Sequence, residues 1–179
     1  MIKWFVASDI HGSAQYCRQM LEAFEREKAD RMLLLGEILY HGPRNDLPGK
    51  YDPKEVITLL NERKNDILCV RGNCDTEVDQ MVLEFPIMAE YALIEAGERM
   101  VFATHGHHFH KKALPPLHDG DILLHGHTHV SALEQIGKII YANPGSVSIP
   151  KENTPRGYIL MEGEHLTWKT LDGTVYRTL

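Results

Sequence analysis

Two short motifs near opposite ends of the chain, Asp9-Ile10-His11 and Gly126-His127-Thr128-His129, each offer a pair of oxygen or nitrogen donors two residues apart. In an extended segment residues i and i+2 project to one side, so each pair is expected to aim its donors at one point. That is metal-ligand chemistry. Eight of the eleven histidines lie between His105 and His129, which concentrates imidazole in one stretch of sequence. With Glu37, Asn73 and His105 added, the candidate ligands are Asp9, His11, Glu37, Asn73, His105, His127 and His129, enough for two ions.

The donor types also select the metal. Carboxylate, amide oxygen and imidazole without thiolate suit Mn²⁺, Zn²⁺, Fe²⁺, Co²⁺ or Ni²⁺, whereas several imidazoles count against Mg²⁺ and Ca²⁺. Mn²⁺ is the leading expectation. Two ions ~3.5–4 Å apart share a bridging ligand, lower the pKa of a bound water and clamp the oxygens of an in-line phosphoryl displacement. Glu37 is the natural protein bridge.

Such donors need rigid elements to hold them. Short apolar, β-rich runs recur at Lys3 to Ala7, Met32 to Leu35, Ile67 to Val70, Met100 to Ala103, Ile122 to Leu124 and Lys138 to Tyr141, and read as buried strands. Tyr91 to Glu95 and the tail from Tyr158 to Lys169 add more, with turns at Ala96-Gly97-Glu98 and Glu162-Gly163-Glu164. Between the first two strands, Ser13 to Lys28 keeps helical spacing at Ala14, Cys17, Met20, Leu21 and Phe24, with Ser13 as N-cap. Asp52-Pro53-Lys54-Glu55 predicts a second helix with an N-cap, a proline in the first turn and a capping-box glutamate. Strand–helix alternation at the start implies a right-handed βαβαβ unit and a parallel sheet, and the helix-poor remainder implies an antiparallel or mixed second sheet. The expected class is α/β (α+β), a two-sheet β-sandwich flanked by helices. Every candidate ligand follows one of these strands, where the loops of such folds converge on one edge. Glycines accompany them at Gly12, Gly36, Gly72, Gly106 and Gly126, as tight turns near an ion require.

At 179 residues and 43% hydrophobic, the chain (1–179) is expected to form a single domain. No apolar run approaches the ~18 residues of a membrane helix, and Ser8-Asp9 interrupts the opening Met1 to Ala7 before a signal-peptide core, so a cytoplasmic protein is expected. Cys17, Cys69 and Cys74 are odd in number and form no C-x-x-C pair, which argues for reduced thiols. A formal charge of −6 without a dense basic block argues against binding polymeric nucleic acid. A homo-oligomer is possible, with Trp4, Phe85, Tyr91 or Trp168 as sources of apolar interface.

In order, Asp9-x-His11, Gly36-Glu37, Gly72-Asn73-x-Asp75, His105 and Gly126-His127-x-His129 resemble the calcineurin-like metallophosphoesterases over nearly the whole chain. The stretches His41-Gly42-Pro43-Arg44-Asn45, Arg71-Gly72-Asn73-Cys74-Asp75 and Asn143-Pro144-Gly145-Ser146-Val147 resemble, within that family, the small bacterial YfcE-type phosphodiesterases. The resemblance implies a β-sandwich flanked by helices and two divalent ions. It implies that Asp9, His11 and His129 hold one ion and Asn73, His105 and His127 the other, with Glu37 joining them. It further implies direct attack of a metal-bridging hydroxide on the phosphorus of a small phosphate diester, with catalytic parts for Asn73 and His105.

Two positions depart from the family pattern. Aspartate is usual where this chain has Glu37, and one extra methylene shifts the carboxylate in a site where ~1 Å of misplacement can cost ~10²-fold in rate. A shifted loop or a weak second metal is expected. Histidine is common where Cys74 follows Asn73; a thiol is a weak donor, so substrates with good leaving groups, and diesters over monoesters, are expected. Arg44, Cys74 and His107 are possible substrate contacts, and His118, His125 and His165 are read as structural. The rival readings are a phosphomonoesterase or pyrophosphatase with the same site, and a non-catalytic protein-binding scaffold of the same fold.

Overall fold

The computed structural model describes residues 2–179. Strand β1 (Lys3–Ala7) runs into helix α1 (Ala14–Glu27), then β2 (Arg31–Leu34), helix α2 (Pro53–Asn61), β3 (Ile67–Cys69) and the short helix α3 (Glu77–Val82). The second half is almost all strand: β4 (Tyr91–Ala96), β5 (Arg99–Thr104), β6 (Ile122–His125), β7 (Ser131–Ile136) and β8 (Ile139–Pro144). β9 (Gly157–Glu162), β10 (His165–Thr170) and β11 (Val175–Thr178) complete it. Six strands form one sheet in the order β11-β10-β9-β1-β2-β3, and five form another in the order β4-β5-β6-β8-β7.

Both sheets are mixed. β1, β2 and β3 are mutually parallel, while the last three strands add antiparallel at the β1 side. In the second sheet β5, β6 and β8 are parallel, with β4 and β7 antiparallel at the edges. The chain is therefore an α/β protein with two mixed sheets flanked by helices, as its strand pattern leads one to expect.

Strand alternation sorts the core. Phe5, Met32 and Leu34 face α1 and α2, whereas Val6, Leu33 and Leu35 face the second sheet, where they meet Val101, Ile122 and Leu124. Burial on both faces explains why these strands read as unbroken apolar runs. Trp168 is fully buried between the sheets and donates its indole N–H to the Asn143 carbonyl at 2.8 Å. Burying a side chain of that size contributes roughly 1.5–3 kcal/mol or more. Trp168 and Phe85 are thus core residues, which corrects the expectation that they offer interface surface; Tyr91 is 49% exposed.

The helices start as their caps predict. Ser13 accepts the Tyr16 N–H, and Asp52 accepts the Glu55 N–H at 3.1 Å with Pro53 behind it. Glu55 does not complete a capping box, because its side chain pairs with Arg18 of α1. The box forms instead on α3 between Thr76 and Asp79, a helix too short and too exposed to show helical periodicity. Strands β7 and β11, also unexpected, are edge strands of which only Ser131 is buried, so they carry little of the apolar signal that marks the others. No described helix is long and apolar enough to cross a membrane.

Candidate metal centre

The seven candidate ligands lie just past β1, β2, β3, β5 and β6, at the carboxyl ends of parallel strands in both sheets. Backbone hydrogen bonds continue the parallel ladder into these loops. Asp9 N–H donates to Gly36 O at 3.1 Å, His11 N–H to Glu37 O at 2.9 Å, and Gly126 N–H to His105 O at 3.0 Å. The loops are thereby held as firmly as the strands that carry them.

The donors do not converge by strand alternation. Asp9, His11, Glu37, His127 and His129 all adopt positive φ, between 51° and 65°, so five of the seven sit in the left-handed region. Each such residue costs roughly 1–2 kcal/mol relative to an ordinary conformation. The extended-segment argument for the two motifs is therefore corrected: both pairs aim inward because alternate residues turn left-handed. Gly126 makes room for this, since a Cβ there would fall on the Ser8 hydroxyl and 2.7 Å from Asp9 Oδ2. Gly72 does the same beneath Glu37, where a Cβ would stand 2.6 Å from Oε1.

Two donor clusters result. In the first, Asp9 Oδ1 lies 3.3 Å from His129 Nε2 and 3.6 Å from His11 Nε2, and the two imidazole nitrogens are 3.1 Å apart. All three residues are buried. In the second, His105 Nε2 lies 3.1 Å from His127 Nδ1, 3.2 Å from Asn73 Oδ1 and 3.6 Å from Glu37 Oε1. Glu37 also lies beside the His11 ring of the first cluster, with Oε2 3.7 Å from Nδ1, the ring nitrogen turned away from Asp9. Its Oε1 also accepts the Cys74 N–H at 2.6 Å.

Hydrogen bonds behind the donors fix which atom each one presents. His11 Nδ1 faces Tyr40 O at 2.7 Å, His129 Nδ1 faces Ile149 O at 2.7 Å, and His105 Nδ1 faces Leu35 O at 2.6 Å. A carbonyl only accepts, so these Nδ1 atoms carry protons and the Nε2 lone pairs point at one another. Lone pairs 3.1 Å apart repel unless a cation lies between them. Asp9 Oδ2 accepts the Ser8 hydroxyl at 2.7 Å and the His127 N–H at 3.0 Å, while its buried Oδ1 has no partner at all. An orphaned carboxylate oxygen facing two imidazole lone pairs fits a divalent metal ion. The second donor set offers an amide oxygen, a carboxylate and two imidazoles, donor types that suit the same class of ion.

The electrostatics agree with this division. Burial alone would raise the Asp9 carboxyl, but the imidazoles of His11, His129 and His105 close around it hold it well below the usual range. Burial would lower His11, yet Asp9 raises it above the ordinary histidine value. Burial pushes His105 down to about 4, with His127 and His107 adding to the effect. Burial raises Glu37, aided by Asp9 and Asp75 and opposed by the Cys74 N–H.

Among the residues to which the sequence assigned no role, Asp75, which closes the Gly72-Asn73-x-Asp75 motif, has the clearest part. Its oxygens accept the N–H groups of Glu37 (2.9 Å), Ile38 (3.0 Å) and Gly72 (2.7 Å), tying the loop after β2 to the loop after β3. Ser146 and Ser148 both donate to Asp9 O, at 2.8 and 3.0 Å. A cavity of about 380 Å³ opens above the centre, lined by Asp9, His11, Glu37, Asn73, His127 and His129 and by Gly42, Pro43, Arg44, Asn45, Cys74 and Lys151. Arg44 and Cys74 thus face it as expected. His107 does not; it lines an adjacent hollow with His110, Lys111 and His125. Lys151 carried no motif, and only its backbone bond to His129 O, 3.0 Å across 22 residues, brings it here. Of the three histidines read as structural, His125 is buried and pushed down to about 4 by that burial, whereas His118 and His165 are exposed.

Comparison with known proteins agrees with this geometry. The model of the calcineurin-like phosphoesterase superfamily domain matches residues 2–165. The chain is 46% identical over 167 residues to phosphodiesterase YfcE of Escherichia coli (strain K12), covering 93% of this chain and 91% of that protein. A solved structure of Yfce, a phosphoesterase from E. coli, superposes with a TM-score of 0.95 at 43% identity, covering 99% of this chain and 98% of that one. Vacuolar protein sorting 29 from Cryptosporidium parvum shares the fold, with a TM-score of 0.61 at 17% identity over 99% of this chain and 96% of that one.

Proposed function

Because the chain belongs to the calcineurin-like phosphoesterase superfamily, we propose that it is a metal-dependent phosphodiesterase that hydrolyses a small phosphate diester by direct attack of hydroxide on phosphorus at a dinuclear site. The observation that carries this reading is the pair of donor clusters under one cavity, with the Glu37 carboxylate between the His105 Nε2 of one and the His11 ring of the other. Asp9, His11 and His129 would hold one ion, Asn73, His105 and His127 the other, and Glu37 would join them. The ions, Mn²⁺ by preference and Zn²⁺, Fe²⁺, Co²⁺ or Ni²⁺ otherwise, would supply hydroxide at neutral pH and offset charge on the phosphoryl oxygens when bound.

The chain's own residues do the rest. The carbonyls of Tyr40, Ile149 and Leu35 keep three imidazoles in the tautomer that binds, so no proton has to move before the reaction. The exposed Asn73 amide stands at the cavity wall, where its N–H₂ reaches a phosphoryl oxygen and steadies charge that develops there. Attack is direct, because the cavity offers no competent protein nucleophile: burial raises the Cys74 thiol to about 12, and Glu37 adds to that shift. A thiol so far from ionising is also a poor proton donor to the leaving oxygen, which supports diesters with good leaving groups. Replacing Cys74→His is expected to raise monoester turnover several-fold relative to diester turnover; equal rates before and after would remove this account of the preference.

Three unpaired cysteines are consistent with a reducing compartment, and we place the protein in the cytoplasm, acting as a single domain without polymeric nucleic acid. Hydrolysis of bis(p-nitrophenyl) phosphate by chelator-stripped protein tests the central reading. Turnover is expected to return with added Mn²⁺. A folded, Mn²⁺-loaded protein without turnover would move the reading to the protein-binding scaffold that the shared fold also allows.

A further inference from the structure

The cavity carries two cations that the diesterase reading does not use. Arg44, in the loop between β2 and α2, and Lys151, in the loop between β8 and β9, are both exposed and both line it. Among the described residues neither side chain has an ion pair or a hydrogen bond, although the chain is net acidic at −6 and pairs nine of its other Lys and Arg side chains with carboxylates. Lys151 is tied to the ligand set by its own N–H, which donates to His129 O at 3.0 Å, and Arg44 follows Gly42 and Pro43, which line the same cavity.

A charge count shows what they lack. Two divalent ions against the cavity carboxylates Asp9 and Glu37 leave two positive charges, which a diester phosphate and its attacking hydroxide cancel; Asp75 lies behind the cavity, engaged by three backbone N–H groups. Arg44 and Lys151 remain over. The cavity also holds no Phe, Tyr or Trp ring on which a nucleobase would stack, and Pro43 is its main apolar side chain. A small, polar, anionic group is what the wall would recognise.

We propose that Arg44 and Lys151 form an anion-recognising rim and that the preferred substrate is a phosphate diester, one of whose ester groups carries a second negative charge, a carboxylate or a further phosphate. The proposal rests on the diesterase reading. It makes both residues specificity determinants, acting on a part of the substrate that does not react.

The test uses the full chain loaded with Mn²⁺ and three p-nitrophenyl diesters that differ only in the second group: ethyl, carboxyethyl and phosphonoethyl. For the wild type, kcat/KM is expected to be about tenfold higher for the charged esters than for the ethyl ester, chiefly through KM, because two exposed cations act on binding in a screened setting. In the Arg44→Gln, Lys151→Gln double variant that ratio is expected to fall towards one. Calorimetric affinity for the matching non-hydrolysable phosphonate monoesters is expected to show the same preference and the same loss, which separates recognition from turnover. The comparison of carboxyethyl with phosphonoethyl identifies which anion the rim fits. Wild-type turnover of the ethyl ester with no preference for charge would overturn the inference and leave the diesterase reading standing. A preference that survives the double substitution would overturn the assignment to these residues. Failure to hydrolyse any of the three would remove the diesterase reading and this inference with it.

Discussion

The two donor clusters are built differently. Asp9, His11 and His129 are buried, and apart from Oδ1 every acceptor oxygen of Asp9 is engaged, by Ser8, His127, Ser146 and Ser148. The second cluster joins a fully buried His105 to a half-buried His127 and an exposed Asn73, and its carboxylate, Glu37, is shared with the Cys74 N–H. One half is a preformed, buried socket and the other is more open to solvent. A preformed site avoids the ordering cost at the moment of binding, so the first cluster is expected to take its ion more tightly.

Breaking the socket gives the largest effect. In Asp9→Asn the amide would point hydrogens at the Ser8 hydroxyl or the His127 N–H, and the link between the halves through Asp9 Oδ2 would weaken. Turnover is expected to drop by more than about 100-fold, above the range for residues that only support ligands. Metal analysis of the purified variant is expected to show both ions depleted; retention of two ions would contradict a socket organised by Asp9.

Asp75 tests the other half. Replacing Asp75→Ala leaves the N–H groups of Glu37, Ile38 and Gly72 without their acceptor, at ~1–3 kcal/mol for each that water does not reach. Chemical denaturation is expected to show a loss of about 2–4 kcal/mol, with the second ion lost and the first retained. Equal weakening of both ions would mean that the clusters are one cooperative unit.

Glu37→Asp sharpens the contrast at smaller scale. The carboxylate would withdraw by about one bond length, out of reach of the Cys74 N–H, and rejoin the position common in the family. Second-ion affinity and turnover are expected to rise, by up to about tenfold. Flat or falling turnover would show that the glutamate is fitted to its loop and is no impediment.

The smallest effect is in pH. A metal needs an unprotonated imidazole, so affinity climbs with pH until the histidine's own pKa is passed and then levels off. His11 is raised above 6.5, so first-ion affinity is expected to keep rising through neutrality. His105, at about 4, and His127, lowered, have already lost their protons there, so second-ion affinity is expected to be flat. Titrations of metal affinity at successive pH values check this, and the opposite pattern would reverse the assignment of the clusters.

Much of this was legible in the sequence, and the failures have physical reasons. The apolar runs marked the buried strands because both faces of those strands are covered, whereas the edge strands β7 and β11 bury too little to leave a signal. Trp168 and Phe85 looked like interface residues because an aromatic's burial depends on what packs over it, and a linear pattern does not record that. His107 stays beside His105, with ring centroids 5.5 Å apart, but faces a neighbouring hollow, a direction that depends on the turn after β5 and not on local pattern.

The sequence by itself determined the donor types, their order and their place after strands, because these follow from side-chain chemistry and from local apolar periodicity. The tertiary structure alone decided how the donors aim. Five left-handed residues are stable only because ladders, serines and carbonyls from distant segments hold them, Ser146 at 137 residues from Asp9 and Ile149 at 20 from His129. It alone placed Asp75 under Glu37, and Arg44 and Lys151 around one cavity, since charge and hydrogen-bonding act through space and these segments come together only after the two sheets have packed.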